Sequence, residues 1–311
     1  MNRITVRVPA TTANIGPGFD SMGCALALYD RLTCEVLPAG ALRICGCPAA
    51  YQNEDNLAVQ GYRAVLKRLG LPDEGLSLTI EAEIPVCRGL GSSAAMIAGG
   101  AAAASLLHGA SLSPAELLAV TNEIEGHPDN LAPAIYGGLT ASLVEDGIPR
   151  TVRLPLSPTL RWVAAIPDFE LSTHLARSVL PEQVAFTDAV YNASHAAVLA
   201  GALGSGDREL IAMALRDRLH QPYRESLIPE YGKVKAAAEQ CGAIAFCISG
   251  AGPTLLALTD EAGFSVRFAE ACRHLEHRGN QIGVMQREKI GRRQEAAENR
   301  LAPDERRAGA C

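Results

Sequence analysis

The stretch "IPVCRGLGSSAAMIAGG" (84–100) constrains the fold more than any other part of the chain. It continues the period-two alternation of "LSLTIEAEI" (76–84), which marks a half-buried strand, and then passes through a glycine turn into an alanine-rich helical run. A strand that ends in such a turn aims the free N–H groups of the following helix at one spot. The helix dipole adds partial positive charge there. Gly89 and Gly91 would let a phosphate approach the backbone, and Ser92 and Ser93 could donate hydrogen bonds or ligate a metal. A Gly-Ser turn made only for close helix packing has the same pattern, so the stretch alone leaves both readings open. Two familiar phosphate loops fail here. A Walker A loop requires a lysine that "GLGSSAA" lacks. "GLGSSA" fits the form G-x-G-x-x-A, but the region where a dinucleotide fold places its ribose-binding acid reads "LLHGASLSP", without an acidic residue. A nicotinamide dehydrogenase is thereby disfavoured.

The rest of the chain frames this unit as a mixed α and β protein. Residues 3–8 alternate as a strand, and 56–69 carry helical spacing that stops at Gly70. "SPAELLAVTNEIEG" is a marked helix: Ser113 at the N-cap, Pro114 in the first turn, Glu116 closing a capping box, and Gly126 as the stop. Prolines 149, 155 and 158 separate it from a second half, which opens on the buried strand "RWVAAIPD". Helices are expected across 186–203, 207–219, 230–241 and 264–277, with "AIAFCISGAGPTLLALT" as strand, glycine turn and strand, and a last strand near 281–287. The expected division is one domain over 1–154, a second over 155–290, and a charged, disordered tail over 291–311. With 311 residues the chain is long enough for two such cores.

A net charge of −6 without a basic block argues against nucleic acid as partner. The apolar run Ala94 to Leu107 is too short to span a bilayer, and "MNRITVRVPA" reads as a strand and not a leader, so no membrane partner is expected. Nine scattered cysteines, with "CGC" at 45–47 the only close pair, read as reduced thiols of a cytoplasmic protein and not as a zinc site.

Two further glycine turns accompany the first: "PATTANIGPGFDSMG" (9–23) behind the first strand, and "SGAGPTLLAL" (249–258) between two late strands. The three segments, in this order, resemble the three motifs of the GHMP kinases. Within that family "PATTANIGPGFD", "EGHPDNLAPAIYGG" (125–138), "STHLARSVLP" (172–181) and "PYRESLIP" (222–229) are most similar to the homoserine kinases. The similarity runs over about residues 3–285; Cys87 stands where a Gly, Ser, Thr or Ala is usual. The resemblance implies an α+β fold of two lobes, the first like ribosomal protein S5 domain 2 and the second ferredoxin-like. It implies ATP and Mg2+ as cofactors, L-homoserine as the phosphoryl acceptor, a role in threonine biosynthesis, and a homodimer as one assembly.

By the same resemblance residues 85–95 (Pro85, Val86, Cys87, Arg88, Gly89, Leu90, Gly91, Ser92, Ser93, Ala94 and Ala95) hold ATP. Ser93, Glu125 and Thr173 hold the metal, and Asn130 acts at the reacting centre beside Glu125 and Ser93. Glu125 closes its helix, where a carboxylate opposes the dipole, and a metal site accounts for such an acid. Homoserine is a zwitterion, so its site requires cations and acceptors. Arg177 and Arg224 have the fork for a carboxylate. Asp20 can take the ammonium, with Asn14 and His127 as polar neighbours. Each has a plainer reading: a solvated arginine, a turn-forming aspartate. Asp129 lies next to Asn130, and a carboxylate base there stays open alongside direct proton transfer to the phosphoryl group. Two rival functions remain: another GHMP small-molecule kinase, and a non-catalytic regulator on the same fold.

Overall fold

The computed structural model describes residues 2–273, 275–277 and 280–284. Strand β1 (Arg3–Ala13) turns Ile4, Val6 and Val8 inward at every second position and pairs antiparallel with β2 (Met22–Leu37), from Arg3 opposite Glu35 to Ala13 opposite Gly23. The register shifts between Pro9 and Thr11, where proline has no N–H to give the ladder. β3 (Leu42–Cys45) follows, then α1 (Leu57–Arg68), capped by the Asn56 side chain, which accepts from the Ala58 N–H. β4 (Gly75–Glu81) lies parallel to β3 and antiparallel to β2.

Helices α2 (Ser92–Leu107), α3 (Pro114–Glu125) and α4 (Pro128–Tyr136) come next, and β5 (Leu139–Glu145) and β6 (Ile148–Leu154) complete a sheet in the order β3-β4-β2-β5-β6, with β1 on β2. The capping box at Ser113 and Glu116 is formed as expected. α2 is buried almost all round, and its glycines explain how. A Cβ on Gly100 would sit 1.9 Å from the Ala58 carbonyl oxygen, and one on Gly61 would sit 2.2 Å from that of Ile97. α1 and α2 therefore cross backbone against backbone. Close packing accounts for the alanines and glycines inside the helix.

The second half runs β7 (Arg161–Pro167), α5 (Thr173–Ser178), α6 (Phe186–Ser205), α7 (Arg208–Ala214), α8 (Gln221–Arg224), α9 (Tyr231–Gln240), β8 (Ala245–Ile248), β9 (Leu255–Thr259), α10 (Phe264–Cys272), β10 (Glu276–His277) and β11 (Asn280–Val284). Its antiparallel sheet has the order β10-β11-β7-β9-β8. One face, with Val163, Ala165 and Leu255, packs on Phe264 and Phe268 of α10 and Val234 of α9. The other face, with Trp162, Ala164 and Leu258, joins the core of the first sheet together with Leu199 and Leu203 of α6. Two expected helices are shorter than their periodicity suggests. The one expected over 207–219 ends at Ala214, because the chain turns to bury Asp217 and His220. The one expected over 264–277 ends at Cys272. The charged stretch 291–311 lies outside the described residues. Among those residues no helix is long and apolar enough to cross a membrane.

Candidate functional site

The three glycine turns meet. From the first, the Thr11 N–H donates to the Leu90 carbonyl at 3.0 Å, and the Ala13 carbonyl accepts from the Gly250 N–H at 2.9 Å. From the third, Ser249 Oγ reaches both Thr12 Oγ1 (2.9 Å) and the Gly89 carbonyl (2.6 Å), and the Thr254 N–H donates to the Arg88 carbonyl at 3.3 Å. The fit leaves no room for a side chain: a Cβ on Gly89 would come within 2.3 Å of the Ser249 carbonyl oxygen, and one on Gly91 within 1.9 Å of Thr11 Oγ1. Both glycines also have positive φ, +71° and +70°, as does Cys87 at +54°.

Beside this junction opens a cavity of about 390 Å³. Residues 86–93 form one wall, and the N-terminus of α2 points into it with Gly91 as an N-cap that offers no side-chain bond. The first N–H groups of the helix are thus turned toward the cavity without a side-chain cap. The ends of the expected ATP segment lie elsewhere. Pro85 is not a lining residue, and Ala94 and Ala95 are fully buried in the core behind the turn.

Ser93 donates to Glu125 at 2.5 Å, so helices α2 and α3 bring together two of the three expected metal ligands; Thr173 lines the same cavity on exposed chain. Burial pushes the Glu125 carboxyl above its ordinary range, against the lowering effect of the Ser93 bond. The N-terminus of α4 supplies His127, Asp129 and Asn130 to the next wall. Asp129, only 1% exposed, accepts from the Asn130 N–H (2.9 Å) and pairs with His127 Nδ1 (3.1 Å). That bond holds the imidazole above its ordinary pKa, although burial opposes it. Asn130 Oδ1 accepts from Thr11 Oγ1 at 2.8 Å, which fixes the direction of the amide.

Arginines close the far wall. Arg177 forks onto both oxygens of Asp20, at 3.0 and 2.7 Å, and that bond raises its pKa. Arg224, 1% exposed, donates Nε to the Ala176 carbonyl and Nη1 to the Gly250 carbonyl, each at 3.0 Å. Burial, and then its neighbour Arg177, lower it to about 10, so it stays a cation at neutral pH. Asn14 holds the Gly250 carbonyl through Nδ2 (3.1 Å) and the Asp20 N–H through Oδ1 (2.8 Å). Asp20 does not itself line the cavity: the expected ammonium acceptor stands behind Arg177.

Sequence reasoning missed several residues here. Thr11, Thr12 and Ser249 stitch the turns together, and all three stood within quoted motifs. Met96, within the quoted stretch 84–100, also lines the cavity, and Gly46, Cys47, Pro48, Tyr51 and Asn56 extend it beyond the glycine turn, where no motif pointed to a ligand. Among the described residues no group of three or more His, Cys, Asp or Glu could hold a metal ion unaided.

Comparison with known proteins agrees with this geometry. The model of the GHMP kinases N terminal domain matches residues 56–138, and that of the GHMP kinases C terminal matches residues 199–274. Over 254 residues the chain is 46% identical to the homoserine kinase of Moorella thermoacetica, covering 81% of this chain and 86% of that one. The chain belongs to the homoserine kinases of the GHMP kinase family. A crystal structure of homoserine kinase from Cytophaga hutchinsonii superposes with a TM-score of 0.83 at 29% identity, over 92% of this chain and 94% of that one. L. major mevalonate kinase in complex with R-mevalonate shares the fold, with a TM-score of 0.67 at 15% identity over 92% and 95%. The family sets the cavity in context: its glycine turn, its Ser93–Glu125 pair and its arginines lie on one continuous surface.

Proposed function

We propose that the protein transfers the γ-phosphoryl group of ATP to the hydroxyl of L-homoserine, giving O-phospho-L-homoserine for threonine biosynthesis. The observation that carries this reading is a single cavity lined by an uncapped helix N-terminus behind a glycine turn, by a pair of arginines and by Asn130. The first suits a polyphosphate, the second an amino-acid carboxylate.

Phosphoryl transfer of this kind is mostly positioning and charge stabilisation. Residues 86–93 present backbone N–H groups to the ATP phosphates, with the dipole of α2 behind them. Ser93 and Glu125 supply hard oxygen donors suited to Mg2+, with Thr173 at the cavity edge; this ion commonly takes one or two protein ligands and completes its shell with phosphate and water. When bound there, Mg2+ would supply charge neutralisation for the phosphate groups. The buried Glu125 with its raised pKa is what such a cation would stabilise in charged form.

On the acceptor side, Arg224 keeps Nη2 beyond its two backbone bonds and directs it, with Arg177, to the substrate carboxylate. Asp20 fixes Arg177, and Asp129, beside His127 on the cavity wall, offers an acceptor for the ammonium. Asn130, oriented by Thr11, orients the hydroxyl. Asp129 Oδ1 accepts from His127 and Asn130, which gives this carboxylate a positioning role in the reading, and the hydroxyl proton passes late to a phosphoryl oxygen, as a loose transition state permits. The reading carries with it a cytoplasmic enzyme; a homodimer, which the resemblance implies, is tested by sedimentation.

The experiment is ADP release with ATP and Mg2+ over a panel of L-homoserine, L-threonine, L-serine, mevalonate and galactose. Turnover strongly favouring L-homoserine supports the reading. Preference for another alcohol keeps the kinase and overturns the acceptor, and ATP binding without turnover moves the chain to a regulator.

A further inference from the structure

The stretch "RDRLHQPYR" (216–224) holds two buried titratable groups that the transfer reaction does not use. The Asp217 side chain is fully buried, a position that costs several kcal/mol unless the charge is matched. It is matched: its oxygens accept from Asn192 Nδ2 (2.7 Å) and from the N–H groups of Leu219 (3.0 Å), His220 (2.9 Å) and Gln221 (2.7 Å). Three backbone donors at the start of α8 thus close onto one carboxylate, which fixes the turn that replaces the end of α7.

The turn places His220, also fully buried, under the first glycine segment. Its Nε2 donates to the Gly16 carbonyl at 2.8 Å, and Nδ1 has no partner among the described residues. Burial lowers the imidazole pKa, which agrees with a neutral ring protonated on Nε2. Gly16 has φ +54°, and a Cβ there would lie 2.5 Å from the Leu215 carbonyl oxygen, so the segment is pressed against the same turn. Phe19 lies over His220 with ring centroids 5.1 Å apart. The Phe19 ring then faces the guanidinium of Arg177 at 5.5 Å and that of Arg224 at 5.0 Å. From the same start of α8, Gln221 Oε1 accepts from the Ile248 N–H at 2.9 Å, next to the Ser249–Gly250 turn that holds Arg224.

We infer that Asp217, His220 and Phe19 are positioning residues, a buried relay that sets the two arginines for the acceptor carboxylate. None of the three lines the cavity, so they act through Arg177 and Arg224 and touch no substrate. The inference rests on the proposed acceptor reading and adds to it the residues that define its geometry. It also separates the two halves of the site: among the described residues the relay bonds to the first turn at Gly16 and makes no hydrogen bond to the wall formed by residues 86–93.

The test compares His220→Leu, His220→Gln and Phe19→Leu with the parent enzyme, which is assayed alongside on the alcohol panel. His220→Leu fills the space without a donor, whereas the amide of His220→Gln can still give an N–H to the Gly16 carbonyl. His220→Leu should raise the acceptor KM about tenfold, inside the ~100-fold that a 1 Å misplacement can cost. The KM for ATP should stay within about twofold. His220→Gln should restore the acceptor KM, and Phe19→Leu, a change in a half-buried residue that leaves the turn bonded, should raise it in the same direction. An unchanged acceptor KM in both His220→Leu and Phe19→Leu overturns the inference, as does a parallel rise in the ATP KM. A crystal structure of either leucine variant reads the same point without turnover: Arg224 displaced from the Ala176 and Gly250 carbonyls supports the relay, and Arg224 in place refutes it. A parent that turns over no alcohol overturns the functional reading alone, and the crystal structure still decides the relay.

Discussion

Arg224→Lys isolates the geometry of the acceptor site from its charge. Arg224 spends two donors on the Ala176 and Gly250 carbonyls, both at 3.0 Å, and has one nitrogen left for a ligand. An ammonium on a shorter, non-planar head cannot span both carbonyls and still present a donor to a carboxylate. If it stays with the backbone, the ligand loses a charge-assisted hydrogen bond worth about 1.5–3 kcal/mol. At 1.4 kcal/mol per tenfold, the acceptor KM should then rise by roughly 10- to 100-fold. If it turns to the ligand, a buried carbonyl is orphaned, and about 1–3 kcal/mol appears instead as lost stability. The assay is initial rate against L-homoserine at saturating ATP, with thermal melting in parallel. A variant whose acceptor KM and melting temperature both match the parent would refute the reasoning, since one of the two must give.

Three other perturbations bear on the remaining parts of the site. Glu125 has a carboxyl pKa raised by burial, so its charged form is lost as pH falls through that raised value. The Mg2+ concentration for half-maximal rate should climb as pH falls, starting at a higher pH than for an ordinary carboxylate, and Glu125→Gln should flatten the climb; a requirement independent of pH in the parent contradicts Glu125 as a ligand. Cys87 is exposed on the cavity wall, whereas burial pushes the thiols of Cys24, Cys34, Cys247 and Cys272 up to about 12. Iodoacetamide should therefore inactivate the enzyme through Cys87, ATP should protect it, and Cys87→Gly should resist; sensitivity that persists in Cys87→Gly points to Cys47 instead. Asp129→Asn should keep kcat within about tenfold, while Asn130→Ala lowers kcat more than it raises KM; a loss of ~100-fold or more in Asp129→Asn makes Asp129 the base.

What the sequence disclosed follows from how local each signal is. The glycine turn before α2, the capping box of α3 and the strand pair around "SGAGP" are encoded within a dozen residues, and each is found where its pattern put it. The role of a neighbour far along the chain is not so encoded. Nothing local to Asp20 announces that Arg177, 157 positions away, takes both its oxygens, nor that Thr11 orients Asn130 from 119 positions away. Helix periodicity ran past Ala214 because Leu215 and Leu219 keep the spacing, but the buried bonds of Asp217 stop the helix there. The alanine run posed the opposite problem: its lack of a polar face reflects a helix surrounded by protein, which composition alone cannot distinguish from a plain packing turn.

The central claim is that one cavity brings the γ-phosphate of ATP to the hydroxyl of L-homoserine. The direct measurement is phosphorus NMR of the protein with ATP, Mg2+ and L-homoserine, followed to completion. The account predicts a new phosphomonoester signal coupled to the terminal methylene protons of homoserine, growing as ADP appears. ADP with free phosphate and no such signal, or no change in a sample that still binds ATP, would contradict it.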